Sequence, residues 1–334
     1  MRDGILSVIG NTPLIKLSKV FSDVDFNVYA KLEGLNPGGS TKDRPAFNII
    51  KEGVESGVIQ PGAVVIESTS GNMGIGLAQA CSYFGLRLIC VVDPKTTIQN
   101  IRLIRAFGAE VDLVMEPDPN TGEYLQARLN RVHELLATVD NGFWPNQYAN
   151  SLNPAAHHQT MAEIDRQLEG RIDYIFCATS TCGTLRGCSE YIREHNLNAK
   201  TVAVDAVGSV IFGGQKSKRL IPGHGAAVRP LLYKDDIADQ VVSVTDLDCV
   251  VGCRRLVRAE AVLAGGSSGG VIMAINHLKA VIPSGANCVA ILPDRGERYL
   301  DSIFSEEWVL EHFGDVSHLW ESYLRVTKCL VAAY

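Results

Sequence analysis

Residues 64–93, VVIESTSGNMGIGLAQACSYFGLRLICVVD, read as a strand, a glycine-bearing turn, a helix and a second strand. VVIES (64–68) is a short β-rich run, and IGLAQACSYFG reads as a helix that Gly85 ends. LRLICVVD (86–93) is almost continuously apolar, as a strand buried on both faces must be. The rhythm continues outward from there. TIQNIRLIRAFG predicts a helix closed by Gly108, EVDLVM (110–115) a strand, and YLQARLNRVHELLAT another helix. Such a βαβαβ run forms a parallel sheet with right-handed crossovers.

The same alternation resumes downstream. DYIFCAT (173–179), TVAVDAV (201–207) and NCVAILPD (287–294) read as strands. LRGCSEYIREHN, VVGCRRLVRAEAVLAG and GGVIMAINHLKAVI read as helices. Between the two series, GFWPNQYANSLNPAAHHQT (142–160) shows no clear period and reads as a loop crossing between two α/β units. Residues 208–236 read as loop. His157 and His158 fall in the aperiodic stretch and are taken as polar surface or packing residues.

Composition bounds the function. A chain of 334 residues fits two domains. Lys and Arg number 31 against 37 Asp and Glu, a net charge of −6 with no basic block, which argues against nucleic-acid or membrane-surface binding. No apolar run approaches the ~18 residues of a membrane-spanning helix. The N-terminus, MRDGILSVIGNTPLIKL, has no secretory pattern, so a cytoplasmic location is expected. The nine cysteines form no CxxC pair, and Cys249 and Cys253 have no partners at zinc spacing. Reduced thiols in the core are expected, with no metal and no disulfide frame.

The 31 glycines are more informative by position than by number. They gather in NPGGS (36–40), SGNMGIG (70–76), CGTLRG (182–187) and AGGSSGG (264–270), at strand-to-helix junctions. A helix N-terminus presents unpaired N–H groups and partial positive charge, so glycine-rich junctions suit anions, though tight turns alone also use glycine. A dinucleotide fingerprint fails: Asp93 stands about twenty residues on, as that motif requires, but the glycine order Gly71, Gly74, Gly76 is wrong. Lys42 follows a glycine turn at the predicted start of a helix, where the helix dipole disfavours a cation. A solvated surface lysine is the plain alternative. A carbonyl-reactive lysine of lowered pKa is the functional one.

NPGGSTKDR, ESTSGNMGIGLA, STCGT, AGGSSGG and PDRGERY, in that order, resemble the fold-type II pyridoxal-phosphate enzymes, the cysteine synthase and cystathionine β-synthase family. The resemblance runs from IGNTPL (9–14) to PDRGERYL (293–300). It implies two three-layer α/β domains, a cofactor domain (1–46 and 151–334) and a small mobile substrate domain (47–150), with pyridoxal 5'-phosphate in the cleft between them. A homodimer is also implied.

The resemblance carries roles onto individual residues. It makes Lys42 the catalytic lysine that holds pyridoxal phosphate covalently. It gives Asn72 to the ring hydroxyl, the loop Ser180, Thr181, Cys182, Gly183 and Thr184 to the phosphate, and Ser267 to the pyridine nitrogen. Thr69, Ser70, Gly71 and Gln147 would bind the substrate α-carboxylate. Arg128, Tyr148 and Ser180 are expected to meet a phosphate leaving group or an acidic second substrate. PDRGERY would close the site behind Ser267.

One departure stands out. Sulfhydrylases of the family usually show GTGGT where this chain has STCGT, with Ser180 and Cys182 replacing glycines. NPGGSTKDRPA, IESTSGN, CVVDPK, ELLAT, NQYAN, AVDAVGSVIFG and ILPDRGERYLD are similar to a sub-family of siderophore biosynthesis. Its members join O-phospho-L-serine to L-glutamate on the way to 2,3-diaminopropionate. The competing expectations are a cysteine synthase and a noncatalytic or nucleotide-binding α/β protein.

Overall fold

The computed structural model describes residues 4–69 and 71–321. In chain order its elements begin with β1 (Leu14–Lys16), β2 (Asn27–Leu32), α1 (Asp43–Glu55), β3 (Val64–Ser68), α2 (Asn72–Phe84) and β4 (Arg87–Val92). Then come α3 (Ile98–Ala106), β5 (Glu110–Leu113), α4 (Tyr124–Thr138), β6 (Gly142–Phe143), α5 (Leu152–Leu168), β7 (Tyr174–Ala178) and α6 (Gly183–Glu194). The series closes with β8 (Lys200–Ala206), β9 (Gln240–Val244), α7 (Asp246–Glu260), α8 (Gly266–Leu278), β10 (Asn287–Leu292) and α9 (Glu306–Phe313). None of the described helices is long and apolar enough to cross a membrane.

The described residues fall into two compact units, one of residues 4–10 and 36–156, the other of 11–35 and 157–321. In the first unit four strands pair in the order β5-β4-β3-β6, all parallel. Side chains alternate across this sheet as the two-residue strand period demands. Val65, Leu88, Cys90 and Val92 join the core under α1, α2 and α3. Val64, Ile66, Ile89 and Val91 turn the other way, onto Val132 of α4.

The second unit is built on six strands in the order β1-β2-β10-β7-β8-β9, parallel except for β1. Phe176, Val202 and Val204 enter one core with α7 and α8. Ile175, Cys177 and Ala203 enter another with α5 and α6. Both faces of both sheets are therefore covered, which explains the nearly unbroken apolar strands.

The segment 142–160 differs from the sequence expectation. It holds β6 and the start of α5, not a loop throughout. The helical period is hidden because α5 buries polar side chains on its inner faces: Asn153, His157, Thr160 and Glu163 are all buried. Glu163 pairs with Lys31 of β2 at 2.7 Å, and both are almost fully enclosed. β1, β2, β9 and α9 were not among the predicted elements.

Eight cysteines are free and buried, and Cys329 lies outside the described residues. Part of the glycine clustering has a packing cause. A Cβ on Gly269 of α8 would fall on the Cys249 carbonyl of α7, and one on Gly252 would fall on the Gly269 carbonyl. The two helices meet backbone to backbone, so this glycine serves close approach.

Candidate active site

In the first unit the predicted residues collect at the C-terminal edge of the parallel sheet and at helix N-termini. Chain direction brings them there, because each parallel strand delivers its following turn to the same edge. Thr69, just past β3, is buried, and its Oγ1 accepts from Gly74 N at 3.1 Å. Gly71 caps α2, and Asn72 is that helix's first residue. Ser70 lies outside the described residues.

Lys42 is the N-cap of α1, its N–H donating to Ser40 Oγ at 3.2 Å. A Cβ on Gly76 of α2 would stand 3.1 Å from the Lys42 carbonyl, so that glycine lets α2 approach the lysine. Gln147 follows β6 and is buried; its side chain donates to the Ser68 carbonyl at 3.4 Å, and its own carbonyl accepts from Asn153 Nδ2 at 2.8 Å. Tyr148 is half-buried beside it in the same turn.

Arg128 is not a solvated helix residue. It is largely enclosed, with Nε 3.3 Å from Asp93 Oδ2 at the end of β4. Asp93, which the dinucleotide reading would have put on a ribose, is therefore the partner of an arginine.

In the second unit β7 runs into the Ser180–Thr184 loop. Thr181, Cys182 and Gly183 are buried, and Ser180 and Thr184 are half-buried. Gly183 N donates to Thr181 Oγ1 at 3.3 Å. Cys182 takes φ +67, a left-handed conformation that L-residues seldom adopt. Its side chain packs in the core, and burial pushes its thiol up to about 12.

Ser267 lies in the first turn of α8, buried. Gly265 N, at the cap of that helix, donates to the carbonyl of Asp294 just past β10 at 3.0 Å. Since β10 and β7 are parallel neighbours, Ser267 and the 180–184 loop share one edge of the sheet.

The hydroxyls of Thr97, Thr245 and Ser305 cap α3, α7 and α9. By contrast the N-cap residues of α2, α6 and α8 make no side-chain cap and their first turns hold no acidic residue, with one N–H taken by Thr69 Oγ1 in α2 and one by Thr181 Oγ1 in α6. Helix α4 also lacks a side-chain cap but starts at the carboxylate-bearing Glu123. Uncapped N–H groups at a helix start, with no carboxylate to compete, form an anion cradle. Among the described residues, no group of three or more His, Cys, Asp or Glu side chains could hold a metal ion.

Two site neighbours escaped the sequence reading. His157 sits inside α5, fully buried, where the sequence suggested a surface or packing residue in a loop. Its ring nitrogens lie 3.2 Å from Thr160 Oγ1 and 3.2 Å from Thr184 Oγ1, so it reaches the 180–184 loop. Nothing local announces that contact.

Glu67 is the other omission, a carboxyl inside the strand read at 64–68. Burial raises it from 4.5 to about 7, against the opposing pull of Gln147 N–H, Trp144 Nε1, Ser68 N–H and the Arg128 charge.

Residues 5–294 match the family described as pyridoxal-phosphate dependent enzyme. A hydrogen sulfide-producing enzyme from Fusobacterium nucleatum is 34% identical, with a TM-score of 0.84 over 90% of this chain and 98% of that one. O-acetyl serine sulfhydrylase isoform 3 from Entamoeba histolytica is 33% identical, with a TM-score of 0.85 over 97% and 96% of the two chains. An O-ureido-L-serine synthase is 28% identical, with a TM-score of 0.84 over 94% and 97%.

The donor set suits the family's cofactor. Within the second unit, the start of α6 with the hydroxyls of Thr181 and Thr184 has the chemistry to take a phosphate, and the neutral Ser267 that to take a pyridine nitrogen. Within the first unit, the lysine at α1 has the chemistry to take an aldehyde. The chain belongs to the pyridoxal-phosphate dependent enzymes, as a fold-type II member related to the cysteine synthases and cystathionine β-synthases and of the β-replacement type.

Proposed function

We propose that this enzyme is an N-(2-amino-2-carboxyethyl)-L-glutamate synthase, joining O-phospho-L-serine and L-glutamate with release of phosphate. The observation that carries the reading is the STCGT loop at the α6 N-terminus, whose N-cap Cys182 makes no side-chain cap. Ser180 adds a half-buried hydroxyl there, and Cys182 accepts left-handed strain to fill core space. The sub-family strings around it support the same conclusion.

Bound pyridoxal phosphate supplies an electron sink for negative charge at the substrate α-carbon. This chain's residues do the rest. Lys42 Nζ holds the cofactor, then takes the α-proton and later returns it. Thr181 and Thr184 bind the cofactor phosphate with the α6 N–H groups, Asn72 binds the ring hydroxyl, and Ser267 faces the ring nitrogen. Thr69, Ser70, Gly71 and Gln147 orient the donor's α-carboxylate. Phosphate leaves the β-carbon, and the glutamate amine adds there. Arg128, Tyr148 and Ser180 serve the leaving phosphate and the incoming dicarboxylate.

The reading assigns the cofactor to a larger domain (1–46 and 151–334) and substrate-driven movement to a smaller one (47–150). It takes the working form as a cytoplasmic homodimer and the product as a precursor of 2,3-diaminopropionate for siderophore synthesis.

The second reading is a cysteine synthase using O-acetylserine or O-phosphoserine. The names of the sulfhydrylase and hydrogen sulfide-producing relatives favour it. One screen separates the two: holoenzyme with O-phospho-L-serine and either L-glutamate or sulfide, read by product mass. A glutamate adduct is expected. Cysteine alone would refute the synthase.

A further inference from the structure

The environment of Glu67 has a use beyond the residues named so far. Glu67 is the penultimate residue of β3 and is 2% exposed. Each of its oxygens is taken by the segment after β6. Trp144 Nε1 donates to Oε1 at 3.3 Å, and Gln147 N donates to Oε2 at 3.2 Å. The segment is further tied by the bonds of Gln147 to Ser68 and Asn153 described above. A carboxylate accepts strongly at both oxygens, whereas a protonated acid accepts more weakly at its hydroxyl oxygen and an amide must turn its NH2 toward one of these N–H groups.

We propose that Glu67 is a positioning residue, whose ionised carboxylate holds the Trp144 and Gln147 N–H groups and so aims Gln147 at the donor's α-carboxylate. The proposal rests on the reading of Gln147 given above.

The titratable and charged groups facing Glu67 are few. Cys90 lies beside it on β4, with Cys81 of α2 behind. Arg128 of α4 acts on it from the other side, itself held by Asp93. His133 of α4 meets the Trp144 ring edge-on at 5.1 Å. Burial outweighs the arginine and places the protonation of Glu67 at about 7, so the clamp loosens as the solution is acidified through that range.

The test uses holoenzyme. In the wild type the Trp144 indole N–H resonance, assigned with W144F, shifts as pH passes through about 7, and in E67Q that shift is gone. The readout is the difference in pH dependence between the two proteins. In kinetics at pH 8, with O-phospho-L-serine and O-acetyl-L-serine as donors, E67Q raises KM about tenfold and kcat changes far less, as losing one hydrogen bond to a charged acceptor predicts. The ratio of E67Q to wild type falls toward one at pH 6.

Q147A raises KM as well, and E67Q/Q147A is no worse than Q147A. A Trp144 resonance that does not shift overturns the proposal. So does an E67Q effect that adds to that of Q147A. If Q147A leaves KM unchanged, the assignment of Gln147 fails; if Q147A raises it and E67Q does not, only Glu67 fails.

Discussion

Replacing Glu67 by Gln should stabilise the fold in alkaline solution and lose that advantage in acid. The unfolded chain releases the Glu67 proton near the ordinary 4.5, and the fold holds it up to about 7. The fold therefore binds this proton more tightly than the unfolded chain does. Its contribution is fully present below 4.5 and is lost as pH rises through about 7. The difference corresponds to about 3 kcal/mol, of which roughly 2.5 kcal/mol falls between pH 5 and pH 8.

Gln cannot ionise, so E67Q escapes this loss. It retains a constant offset from the N–H donor its amide leaves poorly matched, about 1–3 kcal/mol. The assay is urea unfolding of wild type and E67Q across that pH interval, followed by far-UV circular dichroism at fixed cofactor concentration. The stability difference should move by roughly 2–3 kcal/mol in favour of E67Q as pH rises. A difference that stays flat refutes the reasoning, because every other titrating group is common to both proteins. E67Q should then be a variant that folds better and binds its donor worse, the trade that a charge buried for function implies.

Three further outcomes follow from the geometry. Lys31→Met strands the Glu163 carboxylate in the second unit and should cost about 3–5 kcal/mol of stability in urea unfolding; a loss below ~1 kcal/mol would show that water reaches the pair. Gly269→Ala puts a methyl on the Cys249 carbonyl and the Cys253 amide, both backbone, and should lower stability by at least about 3 kcal/mol in thermal melts or prevent folding. Lys42→Ala should lose the cofactor's visible band on dialysis and all β-replacement while keeping the far-UV spectrum, and retained turnover would refute its assignment.

Legibility in the sequence followed the range of the interactions involved. The strands at 64–68 and 86–93 and the helices after them were readable, because apolar periodicity and closing glycines act over a few residues. The glycine-bearing starts of α2, α6 and α8 were foreshadowed by the glycine clusters for the same local reason. α5 was not readable at its start. His157 is explained by Thr184, and Glu163 by Lys31, partners far away in the chain. Lys31 also interrupts the apolar run of β2, so a central strand of the second unit carries a charge that only its buried partner accounts for.

The sequence by itself determined the α/β class, the motif residues and the chemistry a lysine among glycine-rich turns can support. Those properties reside in residue type and short-range spacing. The tertiary structure decided which groups of like appearance differ. Arg128 was read as a contact for an anionic substrate, and the structure encloses it with Asp93. Two glycines of apparently similar purpose separate into Gly76, which admits α2 beside Lys42, and Gly269, which admits α7 beside α8. Glu67 is an ordinary strand carboxyl in the sequence, and burial makes it a group that titrates at about 7. Its proton affinity depends on how much water is excluded and on which donors arrive from segments far along the chain, and only the folded chain fixes either.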